Sequence, residues 1–168
     1  METNKKEKGN KKKVMTVYRR SVIKKEKADD LYEFLESNVQ WEEGIKSSKS
    51  GKETRKAYSV SMKPNDKMVD DVIKQIIFDS LNQDYLILGV YVNYYRDGND
   101  WAPTHSHPGT IQSVISLGAT RTLKIGKKDH VLNSGDVITF GASSHSLLQE
   151  PSVKEGRISI ATFMILPD

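Results

Sequence analysis

The sequence predicts a mainly β (α+β) fold in which two N-terminal helices buttress an antiparallel sandwich or barrel. Two observations predict it. Before residue 84, apolar residues recur at spacings of three and four in two separate stretches, the pattern of amphipathic helices. After residue 84 the chain becomes a series of short runs rich in Val, Ile, Leu, Tyr and Thr. Gly, Asp, Asn and Pro turns separate the runs, and no helical pattern interrupts them. Helices followed by strands imply a helical layer against antiparallel β structure.

The elements follow in order. Val14 to Val22 reads as a short strand. In KADDLYEFLESN, residues Ala28, Leu31, Tyr32, Phe34 and Leu35 share one helical face, and Asp29 and Asp30 lie near the first turn, where negative charge suits the helix dipole. Residues 43–56 (EGIKSSKSGKETRK) are polar and rich in Ser, Gly and Lys, and read as an exposed loop, either plainly solvated or facing an acidic ligand. A second helix is expected over 66–82, with Met68, Val69, Val72, Ile73, Ile76, Ile77 and Leu81 on its apolar face and Asn65 or Asp66 as its cap. Six strand-like runs come next: YLILGVYVNYY, IQSVISLG, TRTLKIG, DHVLNSG, DVITFG and RISIATFMIL.

The chain has 168 residues, which suits one domain. We divide it into a basic tail (1–13) and a single domain (14–168), helical over 14–84 and β-rich over 85–168. The net charge is +4. In the tail, Lys5, Lys6, Lys8, Lys11, Lys12 and Lys13 outweigh Glu2 and Glu7, so the remainder is close to neutral. The tail is expected to be solvated and disordered, or else to act as a phosphate-binding arm. Cysteine is absent, which excludes disulfides, thiolate ligands and cysteine nucleophiles. No apolar run reaches membrane-spanning length, and no apolar segment follows the N-terminal lysines as a signal peptide would require. The expectation is a monomeric, cytoplasmic or otherwise intracellular protein.

The chain holds four histidines. His105 and His107 flank Ser106; in an extended segment residues i and i+2 point to one side, so both imidazoles can reach one ion. Neutral imidazole suits Fe(II), Zn(II), Cu(II) or Ni(II). His145, just after the run DVITFG, is the expected third ligand, because strands distant in sequence lie side by side in a jelly roll. His130 sits in GKKDHVLNSG, an expected surface turn, and is left out of the site.

From Leu88 to Phe163 the sequence resembles the AlkB-like branch of the Fe(II)- and 2-oxoglutarate-dependent dioxygenases. The fragments that carry the resemblance are, in order, VNYYRDGNDWAPTHSH, VISLGATRTLKIG, NSGDVITFG, His145-Ser146-Leu147 and GRISIATF. The resemblance implies a double-stranded β-helix (jelly-roll) core with iron at one open end. By position it makes His105 the first metal ligand and His145 the distal one. It makes Arg157 the grip on the far carboxylate of 2-oxoglutarate, a role that suits the planar guanidinium fork, and Asn93 and Tyr95 further cosubstrate contacts. Fe(II), 2-oxoglutarate and dioxygen are the implied cofactors.

Four positions depart from the family pattern. The metal-binding carboxylate falls at His107, giving HxH where HxD is usual. Phe163 and Ser159 stand where nucleic-acid demethylases carry a second arginine and an asparagine. Gly109 stands where they carry a base-contacting acid. The implied reaction is hydroxylation or demethylation of a substrate, by analogy a nucleobase in nucleic acid or a nucleotide. Trp101, Arg55, Tyr58 and Trp41 are candidate substrate walls. Two other readings stay open: a three-histidine cupin-like dioxygenase that needs no 2-oxoglutarate, and a catalytically inactive nucleic-acid-binding module of the same fold.

Overall fold

The computed structural model describes residues 15–60, 66–81 and 84–167; the basic tail 1–13 and Asn65 lie outside the described residues. The order is β1 (Val17–Arg19), α1 (Lys25–Asn38), β2 (Glu42–Lys46), β3 (Glu53–Ser59), α2 (Lys67–Ser80), β4 (Leu86–Tyr95), β5 (Ala102–His105), β6 (Ile111–Gly118), β7 (Arg121–Ile125), β8 (Lys128–Leu132), β9 (Val137–Phe140), β10 (His145–Leu147) and β11 (Arg157–Ile165). The strands form a seven-stranded sheet, β1-β9-β6-β11-β4-β3-β2, and a four-stranded sheet, β5-β10-β7-β8. All the pairings are antiparallel. The fold is mainly β, a jelly roll buttressed by two helices, as the sequence predicts. No helix is long and apolar enough to cross a membrane.

Two cores follow from strand alternation. On the outer face of the large sheet, Val92, Ile115, Leu117, Val137, Ile158 and Ile160 meet the helices, which supply Ala28, Leu35, Val69, Ile73, Ile76 and Ile77. Asp66 caps α2, accepting from the backbone N–H of Met68 and Val69 at 3.1 and 3.4 Å. Between the sheets, Leu123, Leu132, Ile138, Phe140 and Leu147 form the second core. The N-terminal segment is held on by close backbone contact: Ile23 N–H donates to the Gly135 carbonyl at 3.1 Å. Gly135 has φ +97°, and a Cβ there would lie 2.0 Å from the Ile23 oxygen.

Several expectations need correction. β1 is confined to Val17–Arg19 within the longer run expected over 14–22. α1 starts at Lys25, so Glu26 and not Asp29 or Asp30 occupies its first turn; Asp29 instead pairs with Lys25 one turn back, at 2.5 Å. Met68, expected on the apolar face of α2, is 54% exposed. The segment 43–56 is not a loop over its whole length. It contains most of β2 and the start of β3, a hairpin that continues the large sheet beyond β4. Its polar composition has a structural reason: one face of β3 looks into a cavity and not into the core. His130 lies on strand β8, not in a turn.

Candidate functional site

The two sheets splay apart on one side of the second core, leaving a cavity of about 590 Å³. It exists because the middle of the large sheet's inner face carries small side chains. One cross-strand row reads Ala57, Asn93, Ser159, Ser116, and the next reads Ser59, Tyr91, Ala161, Val114. Larger side chains stand on the rows that flank these two. On one side Tyr95 pairs with Arg157. On the other Phe163 is flanked by Gly89 and Gln112.

The three histidines come together at this cavity. β10 lies between β5 and β7, and His145 sits directly opposite His105. One ligand nitrogen from each of His105, His107 and His145 lies within 4.8 Å of the others. The ring centroids are 4.1 Å apart for His105 and His145, 5.0 Å for His105 and His107, and 5.7 Å for His107 and His145. His105 Nδ1 is 2.6 Å from the Pro103 carbonyl, and His145 Nδ1 is 3.3 Å from the Ser143 carbonyl. A carbonyl only accepts, so each Nδ1 carries the proton and each Nε2 is left free as a ligand. Burial holds the His145 imidazole down to about 4, with His105 adding repulsion; burial and His105 also lower His107. Both imidazoles are therefore neutral at neutral pH, the state in which they bind metal. Three imidazole nitrogens within 4.8 Å of one another suit a borderline divalent ion such as Fe(II) or Zn(II).

Arg157 opens β11 and is 2% exposed. Its Nε donates to Ser116 Oγ at 2.8 Å, and its guanidinium lies 5.4 Å from the centre of the Tyr95 ring. Nη2 is buried with no hydrogen-bond partner among the described residues, and no described carboxylate forms an ion pair with this guanidinium. Burial lowers Arg157 to about 10, so it remains a cation at neutral pH. A buried cation with an idle donor is costly unless an anion meets it. Asn93 and Tyr95 line the same cavity.

The proposed substrate walls divide. Arg55 lines the cavity, and its Nε donates to Asn93 Oδ1 at 3.1 Å. Tyr58 is three residues further along β3 and so points to the opposite face; it is buried against the helices, with its hydroxyl on Asp70. Trp41 is also on the helix side, 5.0 Å from the Tyr94 ring. Trp101 stands outside the cavity lining and meets β3 through its backbone, its N–H donating to the Thr54 carbonyl at 2.9 Å. The aromatic wall is formed instead by Tyr91 and Phe163, edge-to-face at 5.4 Å, with Phe163 lying 4.8 Å from the His107 ring. Sequence reasoning also missed Gln112, a cavity-lining residue whose buried Nε2 has no partner among the described residues. The signal was present, since Gln112, Val114 and Ser116 occupy alternate positions of β6.

No family model matches the chain, and no curated protein matches it. Solved structures do match. One is the non-heme α-ketoglutarate-dependent epimerase SnoN from nogalamycin biosynthesis, with TM-score 0.62 and 12% identity over 91% of this chain and 79% of that one. Another is an oxidoreductase of the 2OG-Fe(II) oxygenase family from Burkholderia pseudomallei, with TM-score 0.58 and 14% identity over 89% and 83%. A third is a predicted oxalate decarboxylase from Thermotoga maritima, with TM-score 0.52 and 17% identity over 77% and 96%. At such identities the likeness establishes a shared jelly-roll fold and nothing finer.

Proposed function

We propose that this chain is an Fe(II)- and 2-oxoglutarate-dependent oxygenase. The observation that carries the reading is Arg157: a fully buried guanidinium with an idle Nη2, in the same cavity as three converging imidazoles. An anion with a second metal-binding group answers both features, and 2-oxoglutarate is such a molecule. His105, His107 and His145 would hold the metal. Arg157 would take the far carboxylate through paired charge-assisted hydrogen bonds. Asn93 would donate to the cosubstrate, since its Oδ1 accepts from Arg55 and its amide N–H groups are left as donors. Iron(II) with 2-oxoglutarate supplies oxidation of a C–H bond by dioxygen, coupled to decarboxylation of the cosubstrate. Phe163 and Tyr91 would keep water from the reacting group.

The order of motifs favours the AlkB-like branch, whose substrates are nucleobases. That finer reading would rest on Tyr91 and Phe163 as the stacking wall, since Tyr58 and Trp41 are turned to the helices. His107 favours one competing mechanism. Three neutral ligands match a cupin-like dioxygenase in which the organic substrate binds the metal directly.

The test is a visible spectrum recorded without oxygen, with Fe(II) present and 2-oxoglutarate added. A charge-transfer band that needs both components, and that vanishes in Arg157→Met, supports the oxygenase. Metal binding with no band on adding 2-oxoglutarate defeats it and leaves the three-histidine mechanism in front.

A further inference from the structure

We propose that the primary substrate of this cavity is an acidic small molecule whose anionic group is held by Arg55. The inference rests on the oxygenase reading and extends it to the substrate. Arg55 is half-buried in the cavity wall. Its hydrogen bonds all go to neutral acceptors: Asn93 Oδ1 and Thr54 Oγ1 at 3.1 Å each, and the Trp101 carbonyl at 3.5 Å. Acids stand nearby but are engaged elsewhere. Glu53, two residues away, pairs with Lys56 at 2.7 Å and Arg96 at 3.2 Å, and Asp100 pairs with Arg96 at 2.8 Å. Arg96 thus has two carboxylates, while Arg55 has no ion pair among the described residues.

Charge accounting points the same way. Among the described residues the cavity lining includes Arg55 and Arg157 but no aspartate, glutamate or lysine. A divalent ion on three neutral imidazoles adds two positive charges to those of the two arginines. A dicarboxylate cosubstrate cancels two of these four and leaves two. An aspartate at position 107 would have removed one more. Uncompensated charge in a partly enclosed, largely apolar space is unfavourable, so a second anion belongs in the complex. Leu88, Tyr91 and Phe163 on the neighbouring wall suit an apolar or aromatic body. The anionic group can be a carboxylate or a phosphate, and the phosphate case includes a free nucleotide.

The experiment uses the full chain loaded with redox-inactive Zn(II), with and without saturating 2-oxoglutarate. Calorimetric titrations compare 3-phenylpropionate, phenyl phosphate and 3-phenylpropionamide. With cosubstrate bound, at least one acid should bind about tenfold or more tightly than the amide, the margin expected of a charge-assisted contact. The arm that wins identifies the anion as carboxylate or phosphate. Arg55→Gln should bring the ratio to near one, and Arg55→Lys, which keeps the charge, should retain part of it. Equal affinities in the wild type, or no binding of any probe, overturn the proposal. So does a preference that survives in Arg55→Gln, or one that disappears once 2-oxoglutarate is bound, which would place the acid on Arg157. Cosubstrate binding is read first and separately. Its failure defeats the oxygenase reading, while the dependence of acid binding on Arg55 is still measured directly.

Discussion

Two fully buried arginines lie beside the Tyr95 ring, and their hydrogen-bond partners differ in kind. Arg121 is 5.6 Å from the Tyr95 ring centre and Arg157 is 5.4 Å from it. Arg121 is saturated. Its Nε reaches Glu150 at 3.3 Å, its Nη1 donates to the Asp97 carbonyl at 3.1 Å, and its Nη2 donates to the Asp100 and Leu148 carbonyls at 2.8 Å. It ties the segment after β4 to the segment after β10 and so closes that end of the jelly roll. Arg157 has Ser116 Oγ, the Tyr95 side chain beside it, and an idle Nη2. The difference separates a charge buried for structure, whose partners are in the chain, from a charge buried for a ligand, whose partner must arrive.

The largest expected effect tests that contrast. Arg121→Met should cost about 3–5 kcal/mol of unfolding free energy, because it removes four hydrogen bonds and leaves the Asp97, Asp100 and Leu148 carbonyls without this donor. Arg157→Met should leave the metal-free protein within about 1 kcal/mol of the wild type, or more stable, because it removes a buried charge that no described carboxylate meets in an ion pair. Denaturant titrations of the two variants measure this directly. Similar losses in both would make Arg157 structural and break the comparison.

A second contrast runs between the two faces of β11. Ile158 is fully buried under the helices, and its neighbour Ser159 faces the cavity. Ile158→Ala should cost roughly 2–4 kcal/mol through lost burial and the space left behind. Ser159→Ala should cost under about 1 kcal/mol. A large loss in Ser159→Ala would mean that the cavity face carries packing that the cavity's openness hides.

The metal centre should give the next effect. For the protein first stripped with chelator, Zn(II) at about a hundred times its Kd should add roughly 2.7 kcal/mol of stability. His145→Ala should abolish the gain, and Leu148→Ala, on an exposed residue outside the cavity, should keep it. His107→Asp should bind Fe(II) more tightly than the wild type without 2-oxoglutarate, since a carboxylate restores the missing negative charge. Unchanged affinity in that variant would mean that His107 turns away from the ion.

Legibility in the sequence varied with how local the determinants were. Both helices showed because their apolar residues repeat at the helical period over fourteen residues each. The six longer strand runs showed because Val, Ile, Leu, Tyr and Thr recur in them between Gly, Asp and Asn turns. The HxH pair was legible because its geometry is set by two-residue spacing. His145 was harder: it meets His105 only through the pairing of β10 with β5, a contact across forty residues and strands of three and four residues. β2 and β3 were hidden by Lys, Ser and Gly. In a loop nothing distinguishes Arg55 from Tyr58, whereas their opposite parity on one strand sends them to opposite faces. The idle nitrogen of Arg157 has no sequence signal at all, since RISIATFMI reads the same whether the arginine meets a protein carboxylate or none.

The smallest effect concerns β1, the strand that closes the far edge of the large sheet against β9. Tyr18 donates from its hydroxyl to Asp136 Oδ2 at 2.5 Å, while Asp136 Oδ1 accepts from the Ser21 N–H at 2.8 Å. Burial, with the adjacent Asp136 carboxylate, raises the Tyr18 phenol from its ordinary 10.0 to about 12. A phenol whose folded-state value is raised stabilises the fold fully below pH 10, where both states are protonated. The contribution fades as pH climbs through 12, where the folded phenol must ionise beside a carboxylate. Tyr18→Phe should therefore cost about 1 kcal/mol at pH 8. Asp136 keeps its bond from the Asn133 N–H at 2.8 Å and is not left stranded. The gap between variant and wild type should hold through pH 9 and close between pH 10 and 12, as read by chemical denaturation at each pH. A gap that does not change with pH would assign the loss to packing of the ring against the second core. The tie between β1 and Asp136 would then be mechanical and not electrostatic, unlike the charge-dependent behaviour expected of Arg157.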